Sequence, residues 1–385
     1  MKALVISFSN LSSDSRVQRQ IKWLKKEYDV TVICDDNYSE DSVRVLTVVH
    51  RQSMVRKILA GLALLLHQFN SAYRLLVPVQ ELTRTLGHDR FDLYVANDID
   101  SLPFVCGIAG NKPIYFDAHE YAPRHFEDRW QWRLFFQRYN IALCQKYLPR
   151  VNLMTTVSEG LASEYRKNFG VHPHLITNAP AFQAKEPTLP QPDRVRLVHH
   201  GGANPSRQLE LMIRMMAYLE ERFTLDLYLI TPPHANKKTR AYLDFLKREA
   251  SQFPHRVHIH PPLPTHQIVG TLNHYDIGVF LLPPVNFNYA HTLPNKLFDF
   301  IQARLAVAIG PTPEMAQLVI QYGMGVVAQE FTPESLADAL RHLTRDQILQ
   351  FKLAVEQCAH DQCAENNEAI LMPLLRALTK TDTHV

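Results

Sequence analysis

Short apolar runs alternate along the chain with longer stretches in which apolar residues recur at helical spacing. Between most of the runs in the first half lie helical patterns, such as Arg16–Lys26 and Ser158–Asn168. This alternation predicts a mostly parallel sheet covered by helices. The predicted strands of the first half are Ala3–Phe8, Val30–Cys34, Val45–Val49, Leu93–Ala96, Ile114–Asp117, Leu153–Val157 and Leu175–Thr177.

Residues 184–192 are rich in proline and have no periodicity, which is typical of a linker. The alternation then resumes, with a helix predicted at Arg207–Glu221. We therefore expect an α/β fold of two Rossmann-like, doubly wound domains that face each other across a cleft, because ligands bind beyond the carboxyl ends of such strands. The predicted strands are Val195–His199, Leu225–Thr231, Val257–His260, Ile277–Leu282 and Ala306–Ile309. The expected boundaries are residues 1–183, a linker at 184–194, a second domain at 195–360, and a C-terminal helix at 361–385 that packs back on the first domain.

Composition narrows the class of protein. The net charge of +3 over 385 residues does not favour nucleic acid as a partner. Five scattered cysteines lack the spacing of a zinc site or a disulfide framework, which favours reduced thiols and a cytoplasmic protein. No signal peptide is recognised at the N-terminus, and the longest apolar run is about half the length that crosses a bilayer. The leucine-rich stretch Met54–Val77 is either a core helix or a peripheral contact with anionic lipid at the inner face of the membrane.

The segment 291–303 carries the strongest chemical signal. Pro294 suits a first helical turn and Thr292 is a candidate N-cap. The N-terminus of such a helix binds phosphate well, and Lys296 adds a full positive charge there. Asp299, one turn further, could accept a hydrogen bond from a ribose hydroxyl. The alternative interpretation is a surface helix with a solvated lysine.

The loop that follows the first strand of the second half is rich in glycine. Gly201 and Gly202 allow a ligand to approach the backbone closely. Arg207 opens the next predicted helix, where its guanidinium could bind phosphate oxygens. The alternative is an ordinary strand–helix turn with a surface arginine.

Polar residues also cluster after strands of the first half. His119 follows a predicted strand and is expected to face the cleft, with a core or capping histidine as the alternative. Asp14 is a good N-cap for the first helix. Asp98 and Asp100 precede a helix start, which favours capping or acceptor contact over metal binding. His258 and His260 share a strand face without carboxylate or cysteine companions, so no metal site is expected there.

Several blocks in this order resemble family-4-type glycosyltransferases of the GT-B fold (glycosyl transferases group 1). The blocks span roughly residues 1 to 345. They are Ser-Asp-Ser-Arg-Val at 13–17, Phe-Asp-Ala-His-Glu at 116–120, Thr-Val-Ser-Glu-Gly at 156–160, Asn-Ala-Pro at 178–180, Leu-Pro-Asn-Lys-Leu-Phe-Asp-Phe at 293–300, Ala-Ile-Gly-Pro-Thr-Pro-Glu-Met at 308–315 and Tyr-Gly-Met-Gly at 322–325.

The resemblance implies transfer of a sugar from a nucleoside diphosphate sugar to a glycan or lipid-linked acceptor, in polysaccharide or cell-envelope synthesis. It implies retention of the anomeric configuration, no metal and no cofactor besides the donor. The implied catalytic residues are His119, Arg207 and Lys296. The implied donor-binding residues are Gly201, Gly202, Arg207, Asn295, Lys296 and Asp299, and the implied acceptor-side residues are Asp14, Arg16, Asp98 and Glu120.

The chain departs from the family pattern at two points. The family carries two glutamates separated by seven residues, and here these positions hold Thr292 and Asp299. Of the basic pair near the diphosphate, only Arg207 matches, and Lys296 is inferred to supply the second charge. Two further hypotheses therefore stay open: a nucleotide-sugar epimerase or hydrolase of the same fold, and a non-catalytic subunit that binds a sugar nucleotide or a partner.

Overall fold

The computed structural model describes residues 1–48, 53–230 and 237–380. The ends of two predicted strands, Val49 and Thr231, lie outside these ranges. The chain divides into two compact units. The first holds residues 1–177, the short segment Asn286–Asn288 and the chain from Asn367 on; the second holds Asn178–Val285 and Tyr289–Asn366.

The first unit contains, within the described residues, a parallel sheet of seven strands in the order β3-β2-β1-β4-β5-β6-β7. The strand order reverses between β1 and β4, the position at which doubly wound sheets open a binding crevice. The strands are β1 (Lys2–Ile6), β2 (Asp29–Cys34), β3 (Arg44–Thr47), β4 (Leu93–Asn97), β5 (Ile114–Ala118), β6 (Leu153–Thr156) and β7 (His174–Leu175). The helices are α1 (Ser15–Leu24), α2 (Met54–Leu65), α3 (Phe69–Leu76), α4 (Val79–Leu86), α5 (Leu102–Ile108), α6 (Trp130–Trp132), α7 (Arg138–Tyr147) and α8 (Glu159–Phe169), with a π-helical segment at Arg133–Gln137.

The second unit contains, in its described part, a parallel sheet of six strands in the order β10-β9-β8-β11-β12-β13. Its order reverses between β8 and β11. The strands are β8 (Val195–Gly202), β9 (Phe223–Ile230), β10 (Val257–His260), β11 (Ile277–Phe280), β12 (Ala306–Ile309) and β13 (Gly325–Val327). The helices that follow α8 in the chain are α9 (Glu210–Arg214), α10 (Lys237–Ala250), α11 (Ile268–Leu272), α12 (Phe287–Ala290), α13 (Asn295–Gln302), α14 (Pro313–Tyr322), α15 (Pro333–Arg341), α16 (Arg345–Cys358) and α17 (Ala364–Lys380).

The central strands of each sheet are buried because they are apolar on both faces, as parallel strands between helices must be. All five residues of β4 are buried, as are all four of β11 and all four of β12. Gly278 of β11 lies directly under the ring of Phe300, so a side chain there would displace α13 from the sheet. The absence of a side chain at Gly278 thereby lets α13 pack closely on β11.

Most of α17 lies in the first unit, where it contacts the turn that follows α1. Lys26 and Glu368 form an ion pair of 2.5 Å, and Arg376 donates to Glu27. Among the described residues no helix is both long enough and apolar enough to cross a bilayer.

Three local predictions were wrong. The single helix expected at 207–221 is broken into a 3₁₀ turn, α9 and a second 3₁₀ turn, because Gln208 adopts a left-handed backbone conformation with φ of 48°. Thr292 does not cap α13, since the helix begins only after Pro294, whose extended backbone occupies the cap position. Of the two alternatives given for Asp98 and Asp100, capping of α5 is wrong, because Ser101 precedes that helix and the Asp98 carboxylate accepts the backbone N–H of His119; acceptor contact stays a prediction.

Candidate functional site: a basic pocket in the second unit

Two basic side chains converge on Gly201 at the carboxyl end of β8. A Cβ built at Gly201 would lie 3.4 Å from Nη1 of Arg207 and 3.4 Å from Nζ of Lys296. The φ of Gly201 is +138°, a conformation that favours glycine. The backbone is therefore open at the point where the two cations meet.

Lys296 belongs to the first turn of α13, and no side chain caps the N-terminus of that helix. The lysine is only 5% exposed, and its ammonium lies 4.1 Å from the centre of the Phe280 ring. Within the described residues it forms no ion pair with a carboxylate, and neither does Arg207. Burial, followed by the nearby Arg207, holds the pKa of Lys296 well below its ordinary value.

This arrangement is unfavourable without an anion. Two buried or half-buried cations next to the positive end of a helix dipole repel each other, and each loses hydration. An anion with two or more negative oxygens would neutralise all three sources of positive charge at once. We define these elements, Gly201, Arg207, Lys296 and the N-terminus of α13, as the basic pocket.

Asp299 lies on the same helix, three residues beyond Lys296. Its carboxylate Oδ2 is 3.3 Å from Nε2 of His200, whose ring packs edge-on against Phe300. The structure thus gives Asp299 a histidine partner that the sequence pattern did not indicate. His199, the preceding residue, is fully buried, and its Nδ1 donates to the carbonyl of Val279. Burial and then Lys296 hold the pKa of His199 well below its ordinary value, so this ring is neutral.

Asn295 opens α13 and Gly202 ends β8, so both predicted donor-binding residues lie beside the basic pocket. Thr292 lies in the loop before the helix. Nearby, Nδ1 of His291 is 3.0 Å from Oε1 of Glu314 in the first turn of α14. Sequence reasoning missed this pair because its two members are twenty-three positions apart in the chain.

A second cluster: His119 and its carboxylates in the first unit

His119 follows β5 in the first unit, and both of its ring nitrogens face carboxylates. Nδ1 lies 3.2 Å from Asp98 and Nε2 lies 3.4 Å from Asp117. Burial alone would lower the pKa of His119, but the two carboxylates raise it to about 9. The ring is therefore an imidazolium at neutral pH.

Asp117 is the centre of this cluster. Arg16 donates to both of its carboxylate oxygens, at 2.8 Å and 2.6 Å, and Thr155 donates its hydroxyl at 2.6 Å. Burial would raise the pKa of Asp117, but Arg16 and then His119 hold it well below its usual range. Arg16 also donates to the carbonyl of Ile176, so this buried guanidinium ties α1 to β5 and to the end of the sheet.

Asp98 differs from Asp117 because it reaches solvent. Its side chain is 47% exposed, while that of Asp117 is 2% exposed. The backbone of Asp98 has φ of +60°, a strained value for a residue other than glycine, and its Oδ1 accepts the backbone N–H of His119 at 3.1 Å. The strain is tolerated where the loops after β4 and β5 meet.

The remaining predicted acceptor-side residues lie around this cluster. Asp14 caps α1, as expected, by accepting from the backbone N–H groups of Arg16 and Val17. Glu120 is partly exposed and forms a 2.7 Å ion pair with His125. Among the described residues no group of three or more histidine, cysteine, aspartate or glutamate side chains could hold a metal ion.

Comparison with known proteins

Both sheets and their switch points define a protein with the GT-B fold. Residues 15–180 match the family model described as Glycosyltransferase Family 4. A search of curated proteins found no match. The resemblance to GT-B glycosyltransferases expected from the sequence is confirmed, as is the fold class.

Solved structures share this fold at low identity. Anabaena HepE in complex with UDP-glucose is 13% identical, with a TM-score of 0.70 over 98% of this chain and 100% of that chain. Sucrose-phosphate synthase from Thermosynechococcus elongatus is 12% identical, with a TM-score of 0.75 over 99% of this chain and 100% of that chain. A trehalose-6-phosphate protein from E. coli bound with UDP-2-fluoro glucose is 10% identical, with a TM-score of 0.67 over 98% and 99% of the two chains.

Proposed function

We propose that the protein is a glycosyltransferase that takes a UDP-sugar as donor and transfers the sugar to a glycan or lipid-linked glycan. The observation that carries this proposal is the basic pocket. A buried lysine and an arginine, neither in an ion pair with a carboxylate of the described residues, meet at an open glycine beside a helix N-terminus that no side chain caps. A diphosphate has the charge and the several oxygens that this geometry requires.

The pocket acts on the leaving group. As the bond between the anomeric carbon and the β-phosphate oxygen breaks, its electron pair passes to that oxygen, and negative charge grows there. Lys296, Arg207 and the N–H groups of α13 stabilise this charge more than that of the intact donor, which lowers the barrier. These fixed positive groups also take the place of a metal ion, so we propose a reaction without a metal.

We propose that the new bond forms on the face that the diphosphate leaves, so that the sugar keeps its anomeric configuration. The acceptor hydroxyl attacks the anomeric carbon, and its proton passes to the departing phosphate oxygen. This route needs no protein base, in agreement with a pocket whose central groups, Lys296 and Arg207, are cations. A product with inverted configuration by NMR would rule this route out.

The choice of UDP rests on the structural relatives. Anabaena HepE has been solved in complex with UDP and with UDP-glucose, and the E. coli structure is bound with UDP-2-fluoro glucose. We propose a UDP-hexose for this chain by that likeness. Asp299, whose Oδ2 lies 3.3 Å from Nε2 of His200, would accept the ribose hydroxyls in place of the longer glutamate of the family pattern.

In the first unit we propose that Asp98 contributes the sugar contacts and that His119 holds Asp98 in place. Both nitrogens of His119 face carboxylates, so the ring itself has little capacity to bind a hydroxyl, whereas the Asp98 carboxylate is half exposed. Replacing Asp98 by Asn should reduce kcat/KM for the acceptor reaction while UDP binding stays unchanged. Loss of UDP binding in that variant would place Asp98 in the nucleotide site instead.

The proposed cellular compartment and biosynthetic pathway follow from the proposed reaction and from the state of the cysteines. All five cysteines are free and buried, which suits the reducing cytoplasm where sugar nucleotides are made. We propose polysaccharide or cell-envelope glycan synthesis in that compartment. This part of the proposal depends on the acceptor, which acceptor arrays of cytoplasmic and envelope glycans would identify.

The test is a panel of UDP-, GDP-, ADP- and TDP-sugars, read first by thermal shift and then by nucleotide release with and without acceptor. We expect UDP-sugars to raise the melting temperature most, because a ligand that binds only the folded state stabilises it. Release of UDP only with acceptor, unaffected by EDTA, supports the transferase. Conversion of the UDP-sugar without acceptor would favour the epimerase or hydrolase. Binding of the UDP-sugar without turnover would favour the non-catalytic binding subunit.

A further inference from the structure

The outward face of α2 is apolar. Seven apolar side chains of α2 and the residue after it are between 44% and 71% exposed: Met54, Val55, Ile58, Leu59, Leu62, Leu65 and Leu66. At 100° per residue they fall within an arc of about 140°. The residues that α2 buries, Ala60, Ala63 and Leu64, lie on the opposite side of the helix. A helix on a water-facing surface would show the reverse pattern.

A second exposed apolar group lies on the neighbouring segment of the same unit. Trp130 is 61% exposed and Leu134 is 51% exposed, one helical turn apart. This segment contacts α2, because the ring of Phe135 lies close to Gly61 and Arg138 lies 3.2 Å from His67. We call the seven side chains of the α2 region together with Trp130 and Leu134 the α2 surface.

Basic residues accompany both groups, and long stretches of sequence around them contain no acidic residue. Between Asp41 and Glu81 the sequence has no aspartate or glutamate, and between Asp128 and Glu159 it again has none. The first of these stretches holds five lysines and arginines, and so does the second. On the helical wheel of α2, Arg56 and Lys57 flank the apolar arc on its two sides.

Near Trp130 the local carboxylates are already engaged. Glu127 accepts from Arg124 at 2.6 Å and from the backbone N–H of Phe287 at 2.8 Å. Asp128 accepts from the side chain of Asn286 at 3.0 Å. Arg129, by contrast, lies over the ring of Phe126, and Arg133 is exposed. The charge that this surface presents to a partner is therefore positive.

We propose that the α2 surface docks the protein on an anionic phospholipid bilayer, with α2 lying in the plane of the interface. The apolar arc enters the boundary between headgroups and acyl chains, and the flanking cations meet the lipid phosphates. Tryptophan is the side chain that interfaces favour most clearly. With twelve residues α2 is too short to span the membrane but long enough to lie on it.

Charge decides between lipid and a second copy of the chain. In a two-fold symmetric dimer the same surface would face itself, and the basic residues beside both apolar groups would meet like charges. An anionic bilayer neutralises them instead. The proposal goes beyond the transferase function and does not depend on it, since the basic pocket lies on residues of the other unit.

The test is co-sedimentation of the full chain with vesicles of phosphatidylcholine alone and of equal parts phosphatidylcholine and phosphatidylglycerol. We expect binding to the anionic vesicles and little to the neutral ones. The double variant I58S/L62S should bind anionic vesicles at least about tenfold more weakly, because two exposed side chains lose their burial in lipid. The matched control is I320S, since Ile320 is 71% exposed but lies in the second unit.

A second double variant tests the electrostatic contribution to lipid binding. R56Q/K57Q should lose about fivefold in binding for each charge removed, and rising salt should weaken the wild type in the same direction. UDP binding by each variant separates this proposal from the proposed function: loss of vesicle binding with normal UDP binding supports docking. Equal vesicle binding by wild type and I58S/L62S would overturn it, as would equal loss in I320S. A wild-type dimer that I58S/L62S converts to a monomer, without any vesicle binding, would assign the surface to a second copy.

Discussion

The His119 cluster and the basic pocket both bury charge at the carboxyl ends of parallel strands, but they balance it differently. In the first unit Asp117 and Asp98 are paired with Arg16 and His119, so the charges compensate one another within the protein. In the second unit Lys296 and Arg207 meet without an ion pair to a carboxylate in the described residues, and the charge of Asp299 opposes the effects of burial and of Arg207 on Lys296 only in part. Removing one partner from the balanced cluster would leave a buried charge unpaired and destabilise the fold, whereas the unbalanced cluster carries a free-energy cost that an anionic ligand can relieve.

The largest expected effect concerns the balanced cluster. Replacing Asp117 by Asn leaves the buried Arg16 and His119 without their shared partner, so we expect the free energy of unfolding to fall by about 3 to 5 kcal/mol. Urea denaturation measures this change. The matched control is D89N, which breaks the exposed Arg44–Asp89 pair and should cost less than about 1 kcal/mol. Equal effects in the two variants would mean that burial of the cluster contributes nothing.

Lys296→Met removes one cation from the unbalanced pocket and retains the length of the side chain. We expect kcat/KM for donor turnover to fall by about 100-fold or more, because a group that stabilises the leaving diphosphate is lost. Steady-state release of UDP measures this. Turnover within about threefold of wild type would contradict the phosphate role.

The titration of His119 predicts the direction in which its contribution to the free energy of unfolding changes with pH. Its folded pKa of about 9 lies above the ordinary 6.5, so its contribution to stability is complete below pH 6.5 and is lost as the pH rises through 9. We expect the stability difference between wild type and H119Q to shrink by about 1 kcal/mol for each pH unit between 7 and 9. Other groups, such as Lys296, titrate in both proteins, so their contributions cancel in the stability difference between wild type and H119Q. A constant difference over this range would show that the ring is neutral in the fold.

The smallest expected effect is a gain. Without donor, burial of the Lys296 ammonium is unfavourable, so Lys296→Met should raise the free energy of unfolding of the ligand-free protein by about 1 kcal/mol. Thermal denaturation without nucleotide measures it. A loss of stability in this variant would mean that the surrounding protein already stabilises the buried ammonium without a ligand.

Much of the fold could be predicted from the sequence because parallel strands are apolar throughout and their helices carry a clear period. The cap of α1 by Asp14 was predictable for the same local reason. Breaks in elements were not, since the left-handed Gln208 and the extended Pro294 depend on tertiary packing of the loops.

The candidate sites divide in the same way. Lys296 and Arg207 were singled out because a cation at a helix N-terminus is unusual in any sequence. The contact between His119 and Asp98 was not predicted, because Asp98 reaches the ring only through the pairing of β4 with β5, whereas Asp117 lies two residues before His119 in the chain. The same holds for His200 and Asp299, which are 99 positions apart by their numbers and meet only after β8 and α13 pack together.

The most direct test of the central claim is calorimetric titration of UDP into the wild type, Lys296→Met and the matched control Lys247→Met, whose lysine is exposed on α10. The account predicts that UDP binds wild type and K247M alike and binds K296M at least about 30-fold more weakly, the loss expected for a charge-assisted hydrogen bond in a buried site. Equal affinity of UDP for all three proteins would contradict it.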